Sequence, residues 1–343
     1  MLDRTTHAAL NNPEVQAAFD YHQQRLRDLF AGRNLDSVLV LNGIGCYTED
    51  DSLQWEVWLD NSLEYLAQRT PDACNRAVFR PLTINYNPHG VHFVDDLFGA
   101  EVFLLDGGWQ VRPLSSPVGT LTAPDLETNP TWRAVRDCSL AFLERDVANV
   151  TFGLPTIASV LNIAVNLYGQ EILLAMLQDP EAAHHDLQII NDVLCELHRW
   201  YLANLPPERY QCIIPDQRFQ LPGYGQLCGC TTQLISARAY AEFIAPLDHA
   251  LLSLYPHGGM IHLCGSHTQH LATWKSLQAF RAFQINDRAA EDLQAYFHGL
   301  RDDQIIYVNA FAGMPFERII EITHGRRVVI VENREQLPPL EGR

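Results

Sequence analysis

The chain has 343 residues, 47% of them apolar, and a formal charge of −17, so it can bury a core of its own. An acidic balance with no Lys/Arg cluster excludes phosphate-backbone recognition, which is built from cationic contacts. The single lysine, Lys275, excludes a P-loop and leaves one candidate for Schiff-base chemistry. Eight cysteines in a chain this long fall far below a disulfide scaffold. With no apolar run of the ~18 residues that a membrane helix needs and no signal-type leader, the sequence reads as cytoplasmic, with reduced thiols and neither membrane nor nucleic acid as partner.

Residues 1–34 read as one or two amphipathic helices packed on the outside of the domain that follows. Short β-branched or apolar runs then recur at 37–41, 79–86, 149–154, 211–215, 260–264, 282–286, 304–310 and 327–332. Most are followed by a segment of helical period, the signature of parallel βα units. Eight such units predict one (β/α)8 TIM barrel over the whole chain, 1–343, with a doubly wound open sheet as the alternative. The proline-rich stretch 111–130 is an irregular excursion that could roof a site. Asp179, Pro180 and Glu181 end one helix and open another, over 181–204, which Pro206 and Pro207 stop. Residues 337–343 read as a loose tail.

The densest chemical signal is the apolar run 258–267, in which His262 and Cys264 stand two apart. On a strand they share a face, and at the C-terminal end of a barrel strand they would project into the mouth, where barrel sites are built. Imidazole and thiolate are zinc donors, so the pair is half a metal site; the competing reading is a core histidine beside a buried thiol. Cys228 and Cys230 repeat the spacing just before a helix. One of them, Cys230 first and Cys228 as the alternative, would complete a three-ligand site with an open position, whereas both together would close a Cys3His site of structural type. His267 and His270 follow, as ligands, as a general base, or as polar residues of a helix start capped by Ser266. Asn286, Asp287 and Asn309 end neighbouring strands on the same rim. Residues 42–48 imitate a dinucleotide fingerprint but lack its third glycine, and His184 and His185, adjacent on a helix, are read as surface residues.

Three stretches together resemble the uroporphyrinogen decarboxylase superfamily: 153–184, with GLPTIAS, YGQE and LQDPEAAH in order; 234–246, LISARAYAEFIAP; and 262–265, HLCG. They span about residues 151–310. The resemblance implies a (β/α)8 barrel with its site at the C-terminal mouth. The arginine-bearing N-terminal stretch and the C-terminal Asn-Leu-Gly-His-Gly of the decarboxylases have no counterpart here. The likeness is closer to the zinc-dependent methyltransferase branch, which moves methyl groups between a corrinoid protein and a thiol and uses the pair matched by His262 and Cys264 as zinc ligands. That branch takes its third ligand from a cysteine near its C-terminus; here no cysteine follows Cys264, so Cys230 or Cys228 would have to substitute. The resemblance thus implies Zn2+, a corrinoid partner protein, a small-molecule substrate and a homodimer. The competing readings are a metal-free decarboxylase or lyase on a small carboxylated substrate, with His262 or His267 as acid/base, and a binding barrel without catalysis.

Overall fold

The computed structural model describes residues 2–47, 54–211 and 215–332. Cys212, most of the expected strand 211–215 and the expected tail 337–343 lie outside the described residues. The strands are β1 (Leu39–Leu41), β2 (Ile44–Tyr47), β3 (Val78–Phe79), β4 (Leu82–Asn85), β5 (Glu101–Leu105), β6 (Gly108–Arg112), β7 (Val150–Gly153), β8 (Tyr210–Gln211), β9 (Gly225–Cys228), β10 (Gly259–Cys264), β11 (Phe280–Asn286), β12 (Ile305–Ala310) and β13 (Val328–Glu332). β5 and β6 form an antiparallel hairpin apart from the rest. Among the described residues no single helix is long and apolar enough to cross a membrane.

The other strands make two parallel sheets, ordered β3-β1-β13-β12-β11-β10-β9 and β2-β4-β7-β8. Segments 39–47 and 78–85 belong to both. Each is interrupted once, at Asn42 and Gly43 and at Arg80 and Pro81; a proline cannot donate to a ladder. Asn42 N donates to Phe79 O (2.9 Å) and Ile44 N to Pro81 O (2.9 Å), which carries the pairing across the interruption. The parallel order therefore runs from β9 round to β8.

Of the expected barrel, the described residues show the parallel α/β sheet but not a closed ring. Among the described residues no backbone ladder joins β8 to β9. Side chains span that seam: Gln211 Nε2 donates to Gln220 O (3.0 Å), Gln220 N donates to Gln211 Oε1 (3.0 Å), and Gln220 Nε2 donates to Gly225 O (2.9 Å). The segment 225–228, absent from the expected strands, is the strand beside β10, in register from Gly259 on Gly225 to His262 on Cys228.

Side-chain alternation divides the core in two. Outward residues such as Ile261, Leu263, Phe283, Ile285, Ile306 and Val308 join the large cluster under the surrounding helices. Inward residues, Leu39, Leu41, Phe79, Met260, Ala282, Ile305, Tyr307, Val329 and Val331, form a second cluster together with Phe219 and Leu221. Leu26, Leu29 and Phe30 of the Pro13–Phe30 helix belong to this inner cluster. The N-terminal extension thus does not simply lie outside the strands as expected; its apolar face seals the inner core. Capping sets its start, with Asn12 Oδ1 accepting from Glu14 N (2.9 Å) and Pro13 in the first turn. The helix expected over 181–204 is Pro180–Asn204, opened by Asp179, whose carboxylate accepts from Ala182 N (3.2 Å).

Residues 113–129 are irregular, as expected, but they are tied to the side of that long helix instead of roofing the strand ends. Asp186 accepts from Gly119 N (2.8 Å) and Leu121 N (3.1 Å). A Cβ at Gly119, where φ is +92°, would stand 2.8 Å from Ala182 Cβ.

Candidate metal centre

The inward positions of β10 to β12 become more polar towards the strands' C-terminal ends, and those of β9 are polar throughout. Met260 gives way to His262 and Cys264, Ala282 to Gln284, Tyr307 to Asn309, and Gln226 is followed two residues on by Cys228. Register brings them level: His262 pairs with Cys228 on one side and Gln284 on the other.

Three donor atoms, from Cys228, Cys230 and His262, lie within 4.8 Å of one another. Cys228 Sγ and Cys230 Sγ are 3.7 Å apart, and Cys264 Sγ is 3.1 Å from His262 Nε2. Cys230 is also near enough to Cys264 for each thiol to shift the other's proton affinity. Zinc bonds of ~2.3 Å to sulfur and ~2.0 Å to nitrogen put tetrahedral neighbours ~3.5–3.8 Å apart, and the 3.7 Å and 3.1 Å separations are close to that scale. The donor set therefore fits a thiophilic divalent cation. Of the expected residues His262 and Cys230 fall in this trio, whose third member is Cys228, the alternative, while Cys264 stands beside it on His262.

The thiols share protons. A hydrogen bond from Cys230 brings the Cys228 thiol down to about 7, with Arg218 also favouring the thiolate and burial opposing it. The same donor lowers Cys264. Cys230, which keeps the proton its neighbours lean on, is driven up by those hydrogen bonds. Burial, followed by the charge of Arg218, holds His262 well below its usual range, so the ring is neutral. Neutral imidazole and thiolate are the forms that bind metal.

His267 and His270 do stand at helix starts, before the turn Thr268–His270 and the helix Leu271–Ser276 respectively, and both are fully buried. His267 Nε2 donates to the Cys264 carbonyl (2.7 Å), and the neutral ring accepts at Nδ1 from the Thr232 hydroxyl (3.0 Å). Burial brings its pKa down to about 4. His270 Nε2 donates to Thr232 O (2.9 Å). The expected cap, Ser266, instead donates to Asp292 Oδ2 (2.6 Å). Asn309 is drawn into a chain of amides below the sulfurs: Gln284 Nε2 donates to Asn309 Oδ1, and Asn309 Nδ2 donates to Gln217 Oε1 (3.4 Å). The two histidines read as surface residues are both exposed, with His184 stacked on Phe243 at 4.5 Å between centroids.

Sequence reasoning missed Gln284 and Arg218. Gln284 had a signal, a polar residue at an inward position of an apolar strand. Arg218 had none, because the segment that delivers it is neither periodic nor flanked by a motif. It arrives on the short Pro215–Arg218 turn, whose Asp216 O accepts from Gly43 N (3.0 Å) at the interruption between β1 and β2.

No family model matches the sequence, and no curated protein matches it. Among solved structures, the chain is similar to a methyltransferase from Methanosarcina mazei, with a TM-score of 0.62 and 11% identity, over 90% of this chain and 92% of that one. At that identity the likeness is one of fold, which the two proteins share over nearly their whole lengths.

Proposed function

We propose that this chain is a zinc-dependent, methyltransferase-like enzyme of the uroporphyrinogen decarboxylase superfamily, with its metal held by His262, Cys264 and Cys230 and with Cys228 as the neighbouring fourth donor. The observation that carries the reading is the cluster of two sulfurs, of Cys228 and Cys230, with the His262 imidazole after β9 and on β10, and the contact of a third sulfur, of Cys264, with the same imidazole. The fold shared with a methyltransferase supports it.

When bound, zinc lowers the pKa of a coordinated thiol and keeps a thiolate at neutral pH as the methyl acceptor. The chain's own residues do the rest. His262 offers Nε2 while Gln284 holds Nδ1. His267 is a positioning residue: it ties the Cys264 carbonyl to Thr232 and so fixes the turn after β9 against the turn after β10. The donor count decides how the site works, since three ligands leave a position for substrate and four close it.

The test is metal analysis of the full-length protein expressed with added zinc, with His262→Ala as the control. Roughly one equivalent in the native chain and none in the variant is expected; less than about a tenth of an equivalent in the native chain overturns the reading. Methyl transfer is then assayed from methylcobalamin to β-mercaptoethanol, with loss of the donor's absorbance as the signal.

A further inference from the structure

Arg218 is only 5% exposed, and its Nη1 has no hydrogen-bond partner among the described residues. Its Nε–H donates to Gln284 Oε1 at 3.1 Å. A guanidinium has donors and no acceptor, so the atom that Gln284 turns towards it must be the oxygen, and the amide cannot be flipped. The same oxygen faces His262 Nδ1. An amide oxygen only accepts, so Nδ1 must carry the imidazole's proton. The ring, neutral in this buried setting, has just one proton, which leaves Nε2 bare and its lone pair on the side where Cys264 Sγ stands 3.1 Å away. The amide chain onward has one consistent direction, from Gln284 Nε2 to Asn309 Oδ1 and from Asn309 Nδ2 to Gln217 Oε1.

We infer that Arg218 is a positioning residue for the metal centre: acting through the oxygen of Gln284, it fixes His262 as the tautomer whose Nε2 can ligate, and its charge balances the sulfurs. The inference rests on the metal reading given above. Three thiolates and one divalent cation sum to −1, and the single guanidinium brings the buried assembly to zero; a buried charge is tolerated when it is paired. Outer partners of metal-bound histidines act this way, fixing tautomer and ring orientation.

The experiment uses the full-length chain and Arg218→Met, which keeps bulk but removes both donor and charge. Long-range proton–nitrogen correlation spectra of the metal-free protein read the His262 tautomer. Cobalt(II) titration against a chromogenic chelator reads affinity, with sulfur-to-cobalt charge-transfer bands reporting the donor set. The native chain is expected to show Nδ1–H alone. Arg218→Met is expected to populate Nε2–H as well and to bind cobalt at least ~10-fold more weakly. Should Arg218→Met fail to fold, Arg218→Lys, which keeps the charge but not the fork geometry, is expected to mix the tautomers while losing less affinity. A variant with the native tautomer and an affinity within about threefold of the native overturns the inference. A native chain that binds no cobalt, but whose tautomer still depends on Arg218, overturns the metal reading and upholds the positioning role.

Discussion

The Thr232 hydroxyl lies 3.0 Å from Nδ1 of His267, and this contact ties the turn that carries Cys230 to the turn that carries Cys264. Both groups are fully buried, so removing one strands the other without water. Thr232→Val, close in shape, should therefore cost ~1–3 kcal/mol of stability, the penalty for an unpaired buried polar atom. It should also weaken metal binding, because the Cys264 turn loses its brace. Urea unfolding together with chelator competition checks both; a variant unchanged in both would remove Thr232 and His267 from the centre's support.

Gly43 gives a second handle, remote from the sulfurs. A Cβ at this position would sit 2.4 Å from Asp216 Cα, and backbone cannot yield as a side-chain tip can. Gly43→Ala should push the Pro215–Arg218 turn away from the β1–β2 interruption, at a cost on the order of 2 kcal/mol. Since that turn carries Arg218, the variant should also show the loosened His262 tautomer expected of Arg218→Met. Normal stability with a native tautomer would mean that the turn has room to spare.

What the sequence disclosed follows from which forces are local. His262 with Cys264, and Cys228 with Cys230, were legible because strand alternation puts residues two apart on one face and donor chemistry is intrinsic to the side chain. The parallel α/β class was legible in the recurring apolar runs. The split of 39–47 and 78–85 between two sheets was not, because register belongs to partners far off in the chain. Nor was the strand 225–228, hidden among turn-forming glycines, or the seating of Leu26, Leu29 and Phe30 in the inner core, since an amphipathic stripe says that a face is buried but not against what. Arg218 was invisible because its place is set by the docking of an aperiodic segment.

Asp248 should leave a signature in the pH dependence of stability. Its Oδ2 accepts from the Tyr240 hydroxyl (3.1 Å) and its Oδ1 has no partner among the described residues. Burial pushes its pKa from 3.8 up to about 7. The folded chain therefore holds this proton where the unfolded chain has released it. Stability from this group is full below about pH 4 and falls as pH rises towards 7. Asp248→Asn cannot ionise, so the difference between native and variant should change by on the order of 3 kcal/mol across that window, favouring the variant at the higher pH. Urea unfolding at both ends of the window measures it, and parallel pH profiles would show that the carboxyl titrates normally.

The three cysteines should not be equivalent. Cys230 is the sulfur that neighbours both others, 3.7 Å from Cys228 and close enough to Cys264 to lower its pKa. Losing it removes the donor common to every three-ligand set containing two sulfurs in contact. Cys230→Ala should therefore lower bound zinc to less than about a tenth of an equivalent, as His262→Ala does. Cys228→Ala leaves His262, Cys264 and Cys230, which suffice for a three-ligand site, and should keep most of the metal while opening a position to solvent. Bound cobalt distinguishes the two arrangements, because exchanging one sulfur for water weakens the charge-transfer bands without abolishing them. If Cys228→Ala instead loses the metal as completely as Cys230→Ala, all four donors are obligatory, the centre is closed, and its role is to hold the turns after β9 and β10 together.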